Sequence, residues 1–132
     1  MPKFSSHSLA ALKTCDPALR EILTQAIREI DFSVLWGYRG EADQNYAYDN
    51  GFSQLKFPKS KHNSTPSRAV DIAPYPINWA DPVRFCELAK VIKRIANELM
   101  IEVVWGGDWS RFVDMAHWEL VEPWHRDHAE GA

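Results

Sequence analysis

Three side chains, His62, Asp71 and His117, are of the kinds that hold a divalent cation: two imidazoles and a carboxylate. They make a workable ligand set for zinc. A fourth position left to water marks a catalytic site, because structural zinc sites are usually closed by four protein ligands. Such chemistry needs a base close by. Asp114, three residues before His117 in "DMAH", reaches water at the open position if the intervening turn folds its carboxylate beside the imidazole. Taken singly, each residue has a blander reading: a loop histidine is usually solvated, a strand aspartate often sits at a turn or edge, and an aspartate three before a histidine recurs by chance. The combination carries more weight. Asp71 interrupts the apolar run "AVDIA" and so points into partly buried space, where an unpaired carboxylate is costly unless a cation or hydrogen-bond donors meet it.

Periodicity supplies the elements that must carry these groups. Asp16 and Pro17 form a helix start, and Leu19, Ile22, Leu23, Ala26, Ile27 and Ile30 follow at spacings of three and four, which predicts one apolar helical face. A shorter helix is expected around Leu9 to Lys13. "DFSVLWG" reads as a strand ended by Gly37, and "EADQNYAYDNG" as a short helix stopped by Asn50 and Gly51. Lys56 to Ser67, which holds Ser60 and His62, carries two prolines, four serines or threonines and three lysines, the composition of a surface loop.

"AVDIAPY" is too short for a helix before Pro74 and reads as the strand bearing Asp71. Asp81 and Pro82 repeat the cap-plus-proline signature, and Phe85, Leu88, Ala89, Ile92, Ile95, Ala96 and Leu99 then trace a single stripe. "IEVVW" is a strand closed by Gly106 and Gly107. "HWELV" is another, with His117 and Glu119 on one face and Trp118 and Leu120 on the other. Strands and helices are interspersed without regular crossover units. This predicts an α+β fold, a small, mainly antiparallel sheet with helices packed around it, in one domain over residues 1–122 with a loose polar tail at 123–132.

Composition narrows the function classes. With 132 residues, 45% hydrophobic and 25% charged, the chain is ordinary globular material, and a formal net charge of -3 offers no broad basic field for nucleic acid. Cys15 and Cys86 both sit in apolar helical runs, so both are expected as buried small hydrophobes in a reducing compartment. The first residues lack the apolar run of a signal peptide, and no stretch reaches membrane-spanning length, which predicts a cytoplasmic protein without membrane insertion. In "WGGDW", Trp105 and Trp109 could line a groove, although core packing is the stronger reading. Glu119 shares a strand face with His117 and is the rival base. His125 and His128 in "WHRDH" could bind metal, but in a terminal tail solvent exposure is the stronger reading, and His7 has no partner in sequence.

Ser60, His62, Ala69, Asp71, Asp114 and His117 follow in order a pattern of Ser-x-His, a short loop, Ala-x-Asp, and later an acidic residue three before a histidine. On these residues, in "SKHNSTPSRAVD" and "DMAHWEL", the chain resembles the zinc peptidases that include D-Ala-D-Ala carboxypeptidases, D-Ala-D-Ala dipeptidases and phage L-alanyl-D-glutamate endolysins. The resemblance extends from "VLWGYRGEADQ" through "WGGDW" to "HWEL". The loop "NSTPSR" is longer than the common form, which has a glycine and a shorter gap; some phage-type members share the longer one. The resemblance implies that His62, Asp71 and His117 bind Zn²⁺ and that Asp114 is the general base. It also implies that Arg39, in "WGYRGEADQ", stands over the scissile carbonyl to stabilise the oxyanion. Ser60 would hydrogen-bond substrate or a zinc ligand. Without the resemblance, Arg39 reads as a surface arginine in a turn and Ser60 as one more loop serine.

An aspartate at 114, where family members often carry glutamate, points to the endolysin-like branch. The implied function is a zinc metallopeptidase hydrolysing the stem peptides of bacterial peptidoglycan, an L-alanyl-D-glutamate endopeptidase of a phage or prophage. It would stay in the host cytoplasm until a holin-type pore admits it to the wall, with no obligate protein partner. Two alternatives stay open. One is a D,D- or L,D-carboxypeptidase or dipeptidase with the same metal site, for which Lys61 or Arg68 would anchor the substrate carboxylate. The other is a non-catalytic, zinc-stabilised peptide-binding module, which would have no chemical use for a carboxylate at 114.

Overall fold

The computed structural model describes residues 2–121, so the tail expected at 123–132, with His125 and His128, lies outside the described residues. The chain forms α1 (Ser6–Leu12), α2 (Pro17–Ala26), β1 (Phe32–Trp36), α3 (Glu41–Asp49), β2 (Ala69–Pro74), α4 (Pro82–Glu98), β3 (Val103–Trp105) and β4 (His117–Leu120). Short 3₁₀ turns occupy Lys61–Asn63 and Gly106–Asp108. The four strands lie in the order β1-β2-β4-β3, and every neighbouring pair is antiparallel. This is the α+β architecture expected from the sequence.

Local chemistry explains the helices. Asp16 opens α2 by accepting the Ala18 amide at 2.8 Å, and Pro17 fills the first turn, where its missing N–H has no intrahelical partner to lose. The helix stops at Ala26, one turn short of the expected Ile30. The amides of Arg28 and Glu29 bond three residues back, to Gln25 and Ala26, which tightens the chain out of α-helical geometry while Ile27 stays buried. In α4 the expected stripe is realised, with Phe85, Leu88, Ala89, Ile92, Ile95 and Ala96 buried. Asp81 occupies the N-cap, but its side chain makes no capping hydrogen bond, so the start rests on Pro82.

Helices α2 and α4 pack on each other, α4 packs on β2 and β3, and α1 packs on β1. The core between them takes Phe32 and Val34 of β1, Val70 and Ile72 of β2, and Trp118 and Leu120 of β4. Cys15 joins this core, and burial pushes its thiol up to about 12. Cys86 does not: it falls beside the α4 stripe and is exposed, which corrects the expectation of two buried cysteines. Among the described residues no helix is long and apolar enough to cross a membrane.

Candidate metal centre

Strand register delivers two of the three candidate ligands. β2 and β4 pair Val70 with Trp118 and Asp71 with His117, so the alternation that sends Val70 and Trp118 into the core turns Asp71 and His117 together onto the opposite face. His62 arrives from the long polar loop. The Ser60 hydroxyl accepts the His62 amide at 3.1 Å and Asn63 Oδ1 accepts the Ser60 amide at 3.0 Å, closing the turn that aims His62 inward. The His62 ring is fully buried, and one ligand atom from each of His62, Asp71 and His117 lies within 4.8 Å of the others. This triad can hold a metal ion.

The outer hydrogen bonds decide what the inner atoms are. His62 Nδ1 lies 2.8 Å from the Gly37 carbonyl, which can only accept, so Nδ1 carries the proton and Nε2 faces Asp71 Oδ1 at 3.2 Å. His117 Nε2 donates to Glu119 Oε1 at 2.8 Å, leaving Nδ1 facing the same Asp71 oxygen at 3.1 Å. Neutral rings held this way point two lone pairs at a carboxylate oxygen. Only added protons or a cation between them turns that arrangement from repulsive to attractive. Two imidazoles oriented by outer acceptors, with one carboxylate, form a donor set suited to zinc.

Electrostatics follow the same geometry. Burial alone would raise the Asp71 carboxyl, but the charges and hydrogen bonds of His62 and His117 outweigh it and hold the group well below the usual carboxylate range. Burial would likewise lower His117; Asp71 and Glu119 overcome it and lift the imidazolium to about 9. Glu119, against its own burial, is held at about 2 by His117 and Lys61. Lys61 Nζ sits 2.8 Å from Glu119 Oε2 and donates to the Leu120 carbonyl at 2.7 Å. Glu119, the rival base, is thus the acceptor that orients His117.

The turn before β4 places Asp114. The Asp114 amide bonds to Gly106 O at 3.0 Å, and the His117 amide bonds back to Asp114 O at 3.1 Å, so "DMAH" folds the acid beside the histidine. Only glycine fits at 106, since a Cβ there would come within 2.3 Å of Asp114 O. Burial raises the Asp114 carboxyl, and the charge of Asp71 raises it further, with His117 opposing. A raised carboxyl at a cleft is well suited to moving protons.

Arg39 is buried instead of lying on the surface. Its Nη1 stands 3.7 Å from Asp71 Oδ2, its Nε donates to Gln44 Oε1 at 2.9 Å, and its guanidinium lies 5.5 Å from the Trp36 ring centroid. Burial lowers its pKa against the pull of Asp71, Asp114 and Asp43, and the group remains a cation. Two residues that sequence reasoning missed hold it there. Gln44, fully buried, donates to Leu55 O at 2.6 Å while accepting from Arg39, and Asn63 Nδ2 donates to Arg39 O at 2.8 Å. Gln44 lies on the inward side of α3 beside Ala47, where periodicity would call for an apolar residue.

"WGGDW" divides between the two roles considered for it. Trp105 is buried and stacks on Trp118 at 5.7 Å between centroids, whereas Trp109 tilts against His117 at 5.3 Å. The triad opens into a cleft with two compartments, of ≈ 780 Å³ and ≈ 250 Å³, which share Arg39, Phe52, Phe112 and Asp114 as their divide. Asp71 faces the larger compartment; Ser60, His62, His117 and Trp109 face the smaller.

Residues 1–122 match the family model described as phage L-alanyl-D-glutamate peptidase. The L-alanyl-D-glutamate peptidase of Escherichia phage T5 is 34% identical over 114 residues, covering 82% of each chain. The crystal structure of the Serratia marcescens L-Ala D-Glu endopeptidase ChiX superposes with a TM-score of 0.78 at 29% identity, over 98% of this chain and 95% of that one. The chain is a peptidase and belongs to the phage L-alanyl-D-glutamate peptidase family.

Proposed function

We propose that this peptidase is a zinc-dependent endopeptidase that cuts the L-alanyl–D-glutamate bond in the stem peptides of bacterial peptidoglycan. The observation that carries the reading is the convergence of His62 Nε2 and His117 Nδ1 on one Asp71 oxygen, with both outer ring protons already donated elsewhere. Bound by these three groups, zinc would supply Lewis acidity, polarising the peptide carbonyl and lowering the pKa of water at its open position to about 7.

The remaining steps belong to the chain's own side chains. Asp114 takes a proton from the attacking water and returns it to the leaving amine, a role matched to its raised carboxyl. Arg39, fixed by Gln44 and Asn63, presents its guanidinium to the carbonyl oxygen as negative charge builds there. Ser60 acts through His62, whose amide its hydroxyl caps. Residues 1–122 constitute the peptidase domain, and the protein waits in the host cytoplasm until a holin-type pore gives it the wall.

A carboxypeptidase with the same centre would need a cation for the substrate's terminal carboxylate. Of the two considered for it, Lys61 is engaged by Glu119 and the Leu120 carbonyl and Arg68 lines neither compartment, which leaves Lys59 of the smaller compartment as the cation that reading would use. Mass spectrometry of digested peptidoglycan distinguishes the two: stem fragments beginning at D-Glu are expected, and loss of a terminal D-Ala alone would favour the carboxypeptidase.

A further inference from the structure

The two compartments beside the triad differ in chemistry as well as size. The larger has two exposed aromatic rings of its own, Tyr46 at 65% and Trp79 at 60%, and shares a third, Phe52 at 67%, with the smaller, which adds Trp109. Such rings are normally covered, and a cluster of them around a cleft marks a binding surface. Trp79 is also held in place, because Phe85 from the core stacks on it at 5.6 Å and 25°. Among the described residues the acids of this compartment are Asp43, Asp71 and Asp114 and its one cation is Arg39, which lies against Asp71.

The smaller compartment carries Lys59 and Lys61. Lys61 is paired with Glu119, while Lys59 is exposed and makes no ion pair among the described residues. Between the compartments Phe112 holds a left-handed backbone, φ 49°, which a non-glycine residue keeps only where its surroundings enforce it. The divide is therefore a built feature.

A peptidoglycan stem has a matching asymmetry about the bond cut. On the amino side L-Ala is joined to a lactyl-bearing sugar, neutral and with apolar C–H faces. On the carboxyl side D-Glu, linked onward through its side chain, keeps a free carboxylate on its Cα. Resting on the peptidase reading above, we propose that the cleft fixes substrate direction: the aromatic compartment takes the muramyl sugar and the Lys59 compartment takes the D-Glu carboxylate. Pyranose C–H faces pack on the rings, and a carboxylate is kept out of the aromatic side by Asp43 and Asp71, which line that side alone, whereas Glu119 on the other side is paired with Lys61.

The test compares kcat/KM ratios on three synthetic substrates: N-acetylmuramyl-L-Ala-D-Glu-L-Lys, the same peptide with a plain N-acetyl cap, and the muramyl peptide with the D-Glu carboxylate converted to its amide. Wild type is expected to favour the muramyl peptide over the acetyl one, and the carboxylate over the amide by roughly five-fold, the scale of an exposed ion pair. Trp79→Ala should collapse the first ratio and spare the second, with Trp79→Phe restoring it. Lys59→Ala should collapse the second and spare the first. Cleavage at L-Ala–D-Glu with indifference to the sugar, or with the two variants exchanging effects, overturns the direction and leaves the peptidase reading intact. No cleavage of any of the three by wild-type, zinc-loaded protein overturns both.

Discussion

The two faces of the β2–β4 pair carry opposite demands in alternate residues. One face presents Val70, Ile72, Trp118 and Leu120, all essentially inaccessible, to the helices. The other presents Asp71, His117 and Glu119, whose side-chain polar atoms, among the described residues, bond to one another and to side chains from loops. The apolar face tolerates exchange of one hydrocarbon for another because its attraction is non-directional. The polar face does not, because each atom has assigned partners at fixed positions. Register couples them: a slip of one residue would bury Asp71 among helices and expose Ile72, so packing on one side enforces metal geometry on the other.

Substitutions on the polar face should separate function from stability most sharply. Asp71→Ala or His117→Ala is expected to abolish both metal retention and hydrolysis. Asp114→Ala should retain metal yet slow turnover by about 10²- to 10⁴-fold, the range of a lost general base. Metal content measured beside turnover checks this, and full activity of the Asp114→Ala protein would remove that residue from its role. On the apolar face, Trp118→Ala should cost about 3–5 kcal/mol in denaturant unfolding. Catalysis would then fall only in proportion to the unfolded fraction.

A milder break lies one bond further out. Glu119→Gln keeps the shape but weakens the acceptor for His117, and zinc affinity should drop about 10- to 100-fold in chelator competition. Unchanged affinity would mean that the strand, not Glu119, sets the ring.

The subtlest effect is on pH dependence of the metal-free protein. His117 is raised from 6.5 to about 9, so its contribution to stability is complete below 6.5 and disappears as pH climbs through 9. Glu119 is lowered from 4.5 to about 2, so its contribution is complete above 4.5 and disappears as pH falls through 2. Chelated protein should therefore melt highest between pH 4.5 and 6.5. Zinc should move that optimum upward, since it competes with protons for the rings. An optimum that chelation leaves in place would contradict the linkage.

The difference between the faces also explains what could be read from sequence. Alternation in "HWELV" and the stripe from Phe85 to Ala96 report the apolar face, because burial against helices imposes a period. The ligand positions were legible as residue types and as a motif. Their convergence depends on the pairing of Asp71 with His117 and on the bond from His62 to Gly37 O, 25 residues away in the chain. Gln44 and Asn63 left no signal, since a buried amide serving a guanidinium looks in sequence like any polar residue of a helix or loop. Cys86 failed for a related reason: its apolar neighbours are in the stripe and it is not. Arg39 could be placed only by resemblance, because nothing in a turn's composition shows that an arginine is buried.

Anomalous diffraction at the zinc edge, from crystals grown with the metal, puts the three inward atoms to the test. One peak should lie about 2.0–2.2 Å from His62 Nε2, an Asp71 oxygen and His117 Nδ1, with a fourth position open to water. A zinc peak bound through the opposite ring nitrogens, or a centre that stays without metal at saturating zinc while the fold is intact, would contradict it.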